Sequence, residues 1–463
     1  MRISLRQIYI FLFLLGVFFI PFNSYQGISF LGEYRKDGAI IFFLLSFVLF
    51  FVDASFKMKI KIPRNNILFQ VLLFFVFWLI ISTLLNINTV FSNYMKQTSG
   101  LTRFSRQLLA LSIALILFIT TYNVFNKFSI KESFYLLRRV LLYSFIFVSL
   151  YSFFEILIVV FNVSYLKNIF SVFDYFPFTE TSLDLIYHRI SSVSYEPPFL
   201  AIYLITIAGW MFSYILTSKK NIKYLPTLIV FILTFFSGSR TALIVVLFQF
   251  IIFIWIVFSA SKKFNKIIQK FLIVSSILAL LIFMFNREKI TESIETKIET
   301  LNFKKNIEKS ISNRSRFGIQ YTSLLIFKEN PILGVGFGQQ GYHAKDKYPK
   351  WVTKKNYEFD LYYLNNKEKS FPPGFNLYTR LLAETGIIGL LIFIFFIFLI
   401  FHQSKKLIKN KKKLDKVFPI VLLISFVGFS INWLQFDSFR VFGFWICLAL
   451  LIQQVNQKII ENE

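Results

Sequence analysis

The sequence predicts an all-α polytopic membrane protein with about twelve transmembrane helices and one large extramembrane loop. Three observations lead there. Apolar residues fill 56% of the 463 positions, 63 of them Phe, and mean hydropathy is +0.62, more apolar surface than a soluble domain can bury. Apolar runs of roughly 17–22 residues, the length a helix needs to cross hydrocarbon, recur from end to end. Between them the lysines come in short clusters. That pattern encodes topology and argues against a nucleic-acid partner, despite a formal net charge of +27.

The spans read at 7–22, 38–54, 66–86, 105–125, 139–161, 198–217, 223–237, 240–259, 268–286, 379–401, 417–434 and 438–456. The first run has no small-residue cleavage site after it and reads as a retained span. With a cytoplasmic N-terminus, the inside loops carry Lys57/Lys59/Lys61/Arg64, Lys127/Lys131/Arg138/Arg139, Lys219/Lys220/Lys223, Lys262/Lys263/Lys266/Lys270 and Lys405 through Lys416. Each is basic with almost no acid, which places both termini inside. The outside connections are short or mixed, as in Glu33/Arg35/Lys36/Asp37. Spans one to nine thus occupy 1–286, interrupted by an outside loop at 162–197. Residues 287–378 form the large outside loop, and 379–463 hold spans ten to twelve and a cytoplasmic tail. In the large loop, 287–330 reads helical, with Ile290, Ile294, Ile298 and Leu301 on one face. Residues 344–372 read as a polar flap. The single cysteine, Cys447, lies in the last span and excludes a disulfide framework or a Cys-based metal site.

Four polar patches fall at the outer boundary. In FFSGSRTALIV, Arg240 stands at the start of span eight, where Ser239 or Thr241 can cap the helix. A helix N-terminus beside a guanidinium fork suits a phosphate-type anion, although a lone arginine there also reads as a headgroup anchor. In SSVSYEPPFLAIYL, Glu196 precedes Pro197-Pro198, which start a helix and keep the glutamate extended; Arg189 lies seven residues earlier. In NRSRFGIQYTSLLIFKENPILGVGFG, Arg314 and Arg316 precede an amphipathic helix and then alternating Gly334, Gly336 and Gly338. No strand precedes those glycines and no GK[ST] follows. They read as a place where backbone approaches a ligand or a neighbouring helix, not as a nucleotide loop. In PPGFNLYTRLLAETGIIGLL, Asn376, Arg380 and Glu384 recur every four residues on one face, a face that avoids lipid. Glu155, late in span five, is an intramembrane acid and a further functional suspect. Glu358-Phe359-Asp360 is an ExD pair that reads as solvated charge.

At YEPPFLAIYL, SGSRTAL, SRFGIQ…FKENPILGVGFG and FNLYTRLLAETGIIGLL the sequence resembles the O-antigen ligase/polymerase superfamily of bacterial glycan-assembly membrane proteins. Order and spacing agree from about residue 189 to 391; the first five spans match only as hydrophobic helices. The resemblance implies a C-type glycosyltransferase-like helical fold with a periplasmic loop over the site, in the bacterial inner membrane. It also implies en bloc transfer of a glycan from undecaprenyl pyrophosphate, without metal or cofactor. Membrane lipids are the surrounding partners, and a chain-length regulator is a candidate partner.

In that reading Glu196, Arg240 and Arg316 are the catalytic candidates. Arg240 with Arg314 and Arg316 handles the pyrophosphate, and Glu196 is the first choice of base. Arg189, Ser239, Arg314, Gly336, Asn376, Arg380 and His343 are the substrate-binding candidates, His343 doubling as a distant second base. Ligases typically carry His-Asn where this chain has Phe375-Asn376, and Phe cannot carry a proton. The expectation is therefore a Wzy-type polymerase, with a ligase as the alternative. A lipid-linked oligosaccharide flippase is the rival from another class. It would be expected to show related halves and charge along a central path, and neither is seen here.

Overall fold

Side-chain caps set where several helices begin. Ser4 with Gln7, and Ser129 with Glu132, form capping boxes that start α1 (Leu5–Phe18) and α6 (Ile130–Val159). Asn66 caps α3 (Ile67–Leu85) and Ser99 caps α5 (Gly100–Phe125). Helices α5 and α6 consequently start at 100 and 130, ahead of the apolar runs read at 105 and 139. Their polar first turns are helical without being apolar, so hydropathy marks only part of each helix.

The computed structural model describes residues 4–57, 59–260, 310–368, 370–410 and 416–462, with positions 269 and 273. The remaining elements are α2 (Gly38–Lys57), α4 (Ile87–Ser92), α7 (Lys167–Phe170), α8 (Pro197–Thr217), α9 (Leu225–Phe236) and α10 (Arg240–Ala260). They continue with α11 (Ile311–Glu329), α12 (Gln340–Ala344), α13 (Lys350–Thr353), α14 (Tyr357–Phe359), α15 (Leu377–Asn410), α16 (Val417–Asn432) and α17 (Phe442–Asn462). A two-stranded antiparallel hairpin, β1 (Tyr94–Met95) and β2 (Thr98–Ser99), is turned by Lys96 and Gln97, both at positive φ.

The fold is mostly helical, as an all-α polytopic membrane protein should be. Among the described residues, seven helices are long and apolar enough to cross a membrane: α2, α3, α5, α6, α8, α10 and α15. Shorter apolar helices cover Leu5–Phe18, Asn221–Phe236, Val417–Asn432 and Phe442–Gln457. The span read at 268–286 and the face of Ile290, Ile294, Ile298 and Leu301 lie outside the described residues.

Helix α8 is the central element: 83% of its apolar window is buried, against 33% for α2. It packs between α16 and α10, while α1 lies on α2, α15 on α3, and α17 on α5. Helix α10 instead exposes Ile244, Leu247, Phe248, Ile251 and Trp255, a stripe suited to lipid.

Alternating helix directions bring one set of termini to one end of the bundle. There the Ile190 amide donates to Phe236 O at 3.2 Å, the Leu377 amide to Trp433 O at 2.9 Å, and the Gly38 amide to Phe22 O at 3.0 Å.

Helix α15 is interrupted at Gly386 (φ 65°, ψ −169°). The groups released there bond to the glycine-rich segment. Val335 N–H donates to Ala383 O at 3.1 Å, Gly336 N–H to Glu384 O at 2.8 Å, and Ile387 N–H to Pro331 O at 2.9 Å. Gly334 and Gly386 both have positive φ, and a Cβ on either would be driven into the opposing backbone. Of the two uses open to the alternating glycines, the structure displays the approach to a neighbouring helix. Gly336, expected as a substrate contact, spends its amide on α15 and faces Thr83 and Gln339.

Candidate active site

The turn before α10 is built by serine and glycine. Ser239 Oγ accepts the Ala242 amide at 3.2 Å and so caps the helix, while Gly238 takes a positive φ of 65°. The Arg189 stem lies against Gly238: a Cβ there would sit 2.6 Å from Arg189 Cδ. Arg189 pairs with Asp184 at 3.2 Å.

From this turn Arg240 Nη2 reaches Asn313 Oδ1 at 3.1 Å, in the first turn of α11. Arg316 stands one turn further along α11, its guanidinium 4.9 Å from the Phe375 ring centroid. Burial pulls the Arg316 guanidinium below its ordinary value; Glu358 opposes this and the like charge of Arg240 adds to it. Arg240 and Arg316 therefore share one electrostatic neighbourhood although 76 positions separate them (316 − 240). Arg314 turns elsewhere, donating to Lys355 O at 2.9 Å.

Asn376 ties α15 to the same helix. Its Oδ1 accepts the Tyr378 and Thr379 amides at 2.9 and 3.1 Å, and its Nδ2 faces Gln320 Oε1 at 3.5 Å. Within Glu358-Phe359-Asp360, Phe359 is buried against Tyr348 and Tyr363, and Asp360 is exposed. Burial raises the Glu358 carboxyl, with Arg316 pulling it back. His343 lies apart, near Lys347 and Glu329; burial and then Lys347 lower its pKa, and its Nε2 has no hydrogen-bond partner among the described residues.

Glu196 is the extended N-cap residue of α8 (φ −149°, ψ 157°), followed by prolines at the helix start. Its side chain makes no capping bond, and the residue as a whole is exposed. Surrounding protein raises its pKa by desolvation, opposed by Lys36 and Arg189. Glu155 holds the approach to it: the two carboxylate oxygens accept the Ser191 and Ser192 amides at 2.9 and 2.8 Å. Glu155 is thus a backbone bracket, fully buried.

Beside Glu196 opens a cavity of about 760 Å³, within the size range of ligand sites, whose wall includes Tyr195, Phe199, Lys36, Arg106, Phe371 and Arg440. Its floor is a charged network. Arg103 Nη1 and Gln107 Nε2 both donate to Glu33 Oε1, at 2.8 and 2.9 Å. Arg380 donates to Gln107 Oε1 at 2.8 Å, to Glu384 Oε1 at 3.0 Å and to Asp437 O at 2.8 Å. Arg440 pairs with Asp37 at 3.4 Å. Burial acts to raise Glu33, yet Arg103, Arg440 and Arg380 outweigh it and hold the carboxyl below its ordinary value. Arg380, expected at the substrate, has Nε, Nη1 and Nη2 all engaged within the protein; it organises the wall.

Sequence reasoning missed Arg103, Arg106, Gln107 and Arg440, and treated Glu33 to Asp37 only as a mixed loop. The signal was present in LTRFSRQLLA, where Arg103, Arg106 and Gln107 recur at helical spacing on the brink of a span.

Fold and site together define a helical multi-pass membrane protein with an arginine-rich polar site at one end of its bundle. Residues 225–394 match the family described as O-Antigen ligase. The matched stretch takes in the Arg240 turn, α11, the glycine segment and the start of α15, and it supports the O-antigen ligase/polymerase superfamily and glycan transfer of that type. No curated protein matches the chain.

Proposed function

We propose that the protein polymerises undecaprenyl-pyrophosphate-linked oligosaccharide repeat units at the periplasmic face of the inner membrane. The observation that carries this reading is the gathering of Arg240 and Arg316 at the start of α11: Arg240 reaches Asn313 there, and Arg316, one turn on, feels its charge and stands against the Phe375 ring. Two guanidinium groups held in partly dry surroundings match the oxygens of a departing diphosphate, and their mutual repulsion is relieved by an anion. In the transfer, the acceptor hydroxyl oxygen bonds to the anomeric carbon of the donor glycan. The carbon–oxygen bond to pyrophosphate breaks, and its electron pair leaves with the lipid diphosphate. The acceptor proton passes to Glu196, which desolvation has made a better base. Phe375 in place of histidine favours polymerisation over ligation. The matched family's description favours the ligase as the second reading.

Arg240→Ala in the native host tests this. Surface glycan should collapse to single repeat units at normal protein level, with a loss of about 10²–10³ in transfer rate. Arg240→Lys should rescue poorly, because an ammonium lacks the fork. Unchanged ladders would defeat the assignment, and loss of even single units, with lipid-linked polymer accumulating, would identify the ligase.

A further inference from the structure

We infer that the cavity beside Glu196 is the acceptor subsite and that it takes an acidic oligosaccharide. This rests on the transfer reading above. The charges of the wall point to an anion. Arg103 and Arg440 are paired with Glu33 and Asp37, and Arg380 is bonded within the protein through all three of its nitrogens. Arg35 and Arg106, both exposed on the wall, make no salt bridge among the described residues, and Lys36 rests on the Tyr195 ring at 3.0 Å. The internal pairs thus fix the wall and leave a cationic rim for an incoming anion.

The shape of the wall points to a sugar. Tyr195, Phe199 and Phe371 offer ring surface, and Asn23 and Ser370 offer polar groups. Flat aromatic faces among polar side chains suit a sugar, which is apolar on its ring faces and polar at its edges. Phe371 is stiffened by Arg103, whose guanidinium lies 4.2 Å from its centroid.

The cavity also lies close to Glu196. Tyr195 and Phe199, on either side of Glu196 in the chain, line the cavity, and Lys36 of the same wall acts on the Glu196 carboxyl. The segment 371–376 borders both places: Phe371 and Pro373 line the cavity, and Phe375 stands against Arg316. An acceptor seated in the cavity would bring its hydroxyl towards Glu196 and the donor's anomeric carbon, with the donor diphosphate on the Arg316 side of that segment. Most of this wall, including residues 33–37, 103–107 and 437–440, lies outside the matched stretch.

The test uses the full chain in lipid nanodiscs, with tetragalacturonate as the acidic probe and maltotetraose as its neutral counterpart. Tetragalacturonate should bind about tenfold or more tightly than maltotetraose. Arg35→Glu/Arg106→Glu should abolish that preference, and Arg240→Ala should leave it intact. Tetragalacturonate binding that survives inorganic pyrophosphate would support sugar carboxylates as the anion; displacement by pyrophosphate would overturn the acidic-sugar assignment in favour of a diphosphate. Equal binding of both probes, or full binding by the charge-reversed variant, would overturn the inference. If that happened while Arg240→Ala still abolished ladders, the acceptor site alone would fall.

Discussion

The Arg316 guanidinium stands 4.9 Å from the centre of the Phe375 ring, and Phe375 is held at a positive φ of 56° to put it there. A non-glycine residue in that region is strained, and such strain gathers where a side chain must be aimed. In the position where ligases typically carry histidine, this chain presents an arginine shelf.

Phe375→Leu keeps bulk and removes the ring's negative face. Transfer should slow by about 3- to 30-fold, the worth of a partly desolvated cation–π contact, while Phe375→Tyr retains most activity. Single-turnover kinetics would reveal it. A Leu variant as fast as the parent would show that the ring does not support Arg316.

The base assignment predicts a pH profile. Glu196 must be deprotonated to accept a proton, and desolvation raises its pKa with Lys36 and Arg189 opposing. The acidic limb of the rate should therefore lie above the ordinary glutamate value of about 4.3. Glu196→Gln should erase that limb and lower the rate by about 10²–10⁴. Transfer measured in proteoliposomes across pH checks this, and a limb that survives in the Gln variant rules the carboxyl out.

Glu33 gives a stability prediction of opposite sign. Its folded pKa is depressed because three arginines outweigh burial, so its stabilisation is present above the unfolded value near about 4.3 and fades as pH falls through the folded one. Glu33→Gln should cost about 1–3 kcal/mol at pH 7, Arg103 being mostly shielded, and the gap from the parent should close in acid. Thermal unfolding in detergent at several pH values reads this directly.

Gly386→Ala should destabilise by roughly 3 kcal/mol, since its φ of 65° with ψ of −169° is nearly exclusive to glycine and a Cβ would meet Ile332 O. Gly32→Ala is the comparator: it also has positive φ, but nothing lies within 4 Å of its Cβ position. A smaller loss at Gly32 than at Gly386 would isolate the backbone contact.

How much of this was legible in the sequence depends on the kind of signal. Hydropathy located the helices because lipid imposes a length on them, and the Pro197-Pro198 pair placed the start of α8. The meeting of Arg240 with α11 could be suspected only as shared position at one boundary, since residues 73 apart (313 − 240) carry no periodicity linking them. The network of Glu33, Arg103, Arg380 and Arg440 was legible only in pieces: the periodic polar faces around Arg103 and Arg380 can be read, but not their meeting, because four distant segments supply it. The glycines of 334–338 announced a close approach but not its object. The object is a break in α15, and Thr385-Gly386 gives little warning of one inside an apolar run.

That break bears on how the chain is assembled. The carbonyls of Ala383 and Glu384 find their donors in residues 335 and 336, and the Ile387 amide finds its acceptor in Pro331. Without that ribbon the Ala383 carbonyl and the Ile387 amide would lose the partners seen here, at several kcal/mol each in hydrocarbon, while the Glu384 carbonyl would keep a second donor, Ser82 Oγ at 3.1 Å. The break in α15 thus takes its final form only once the glycine-rich segment 331–336 has docked, which makes the order of biogenesis chiefly a property of the backbone.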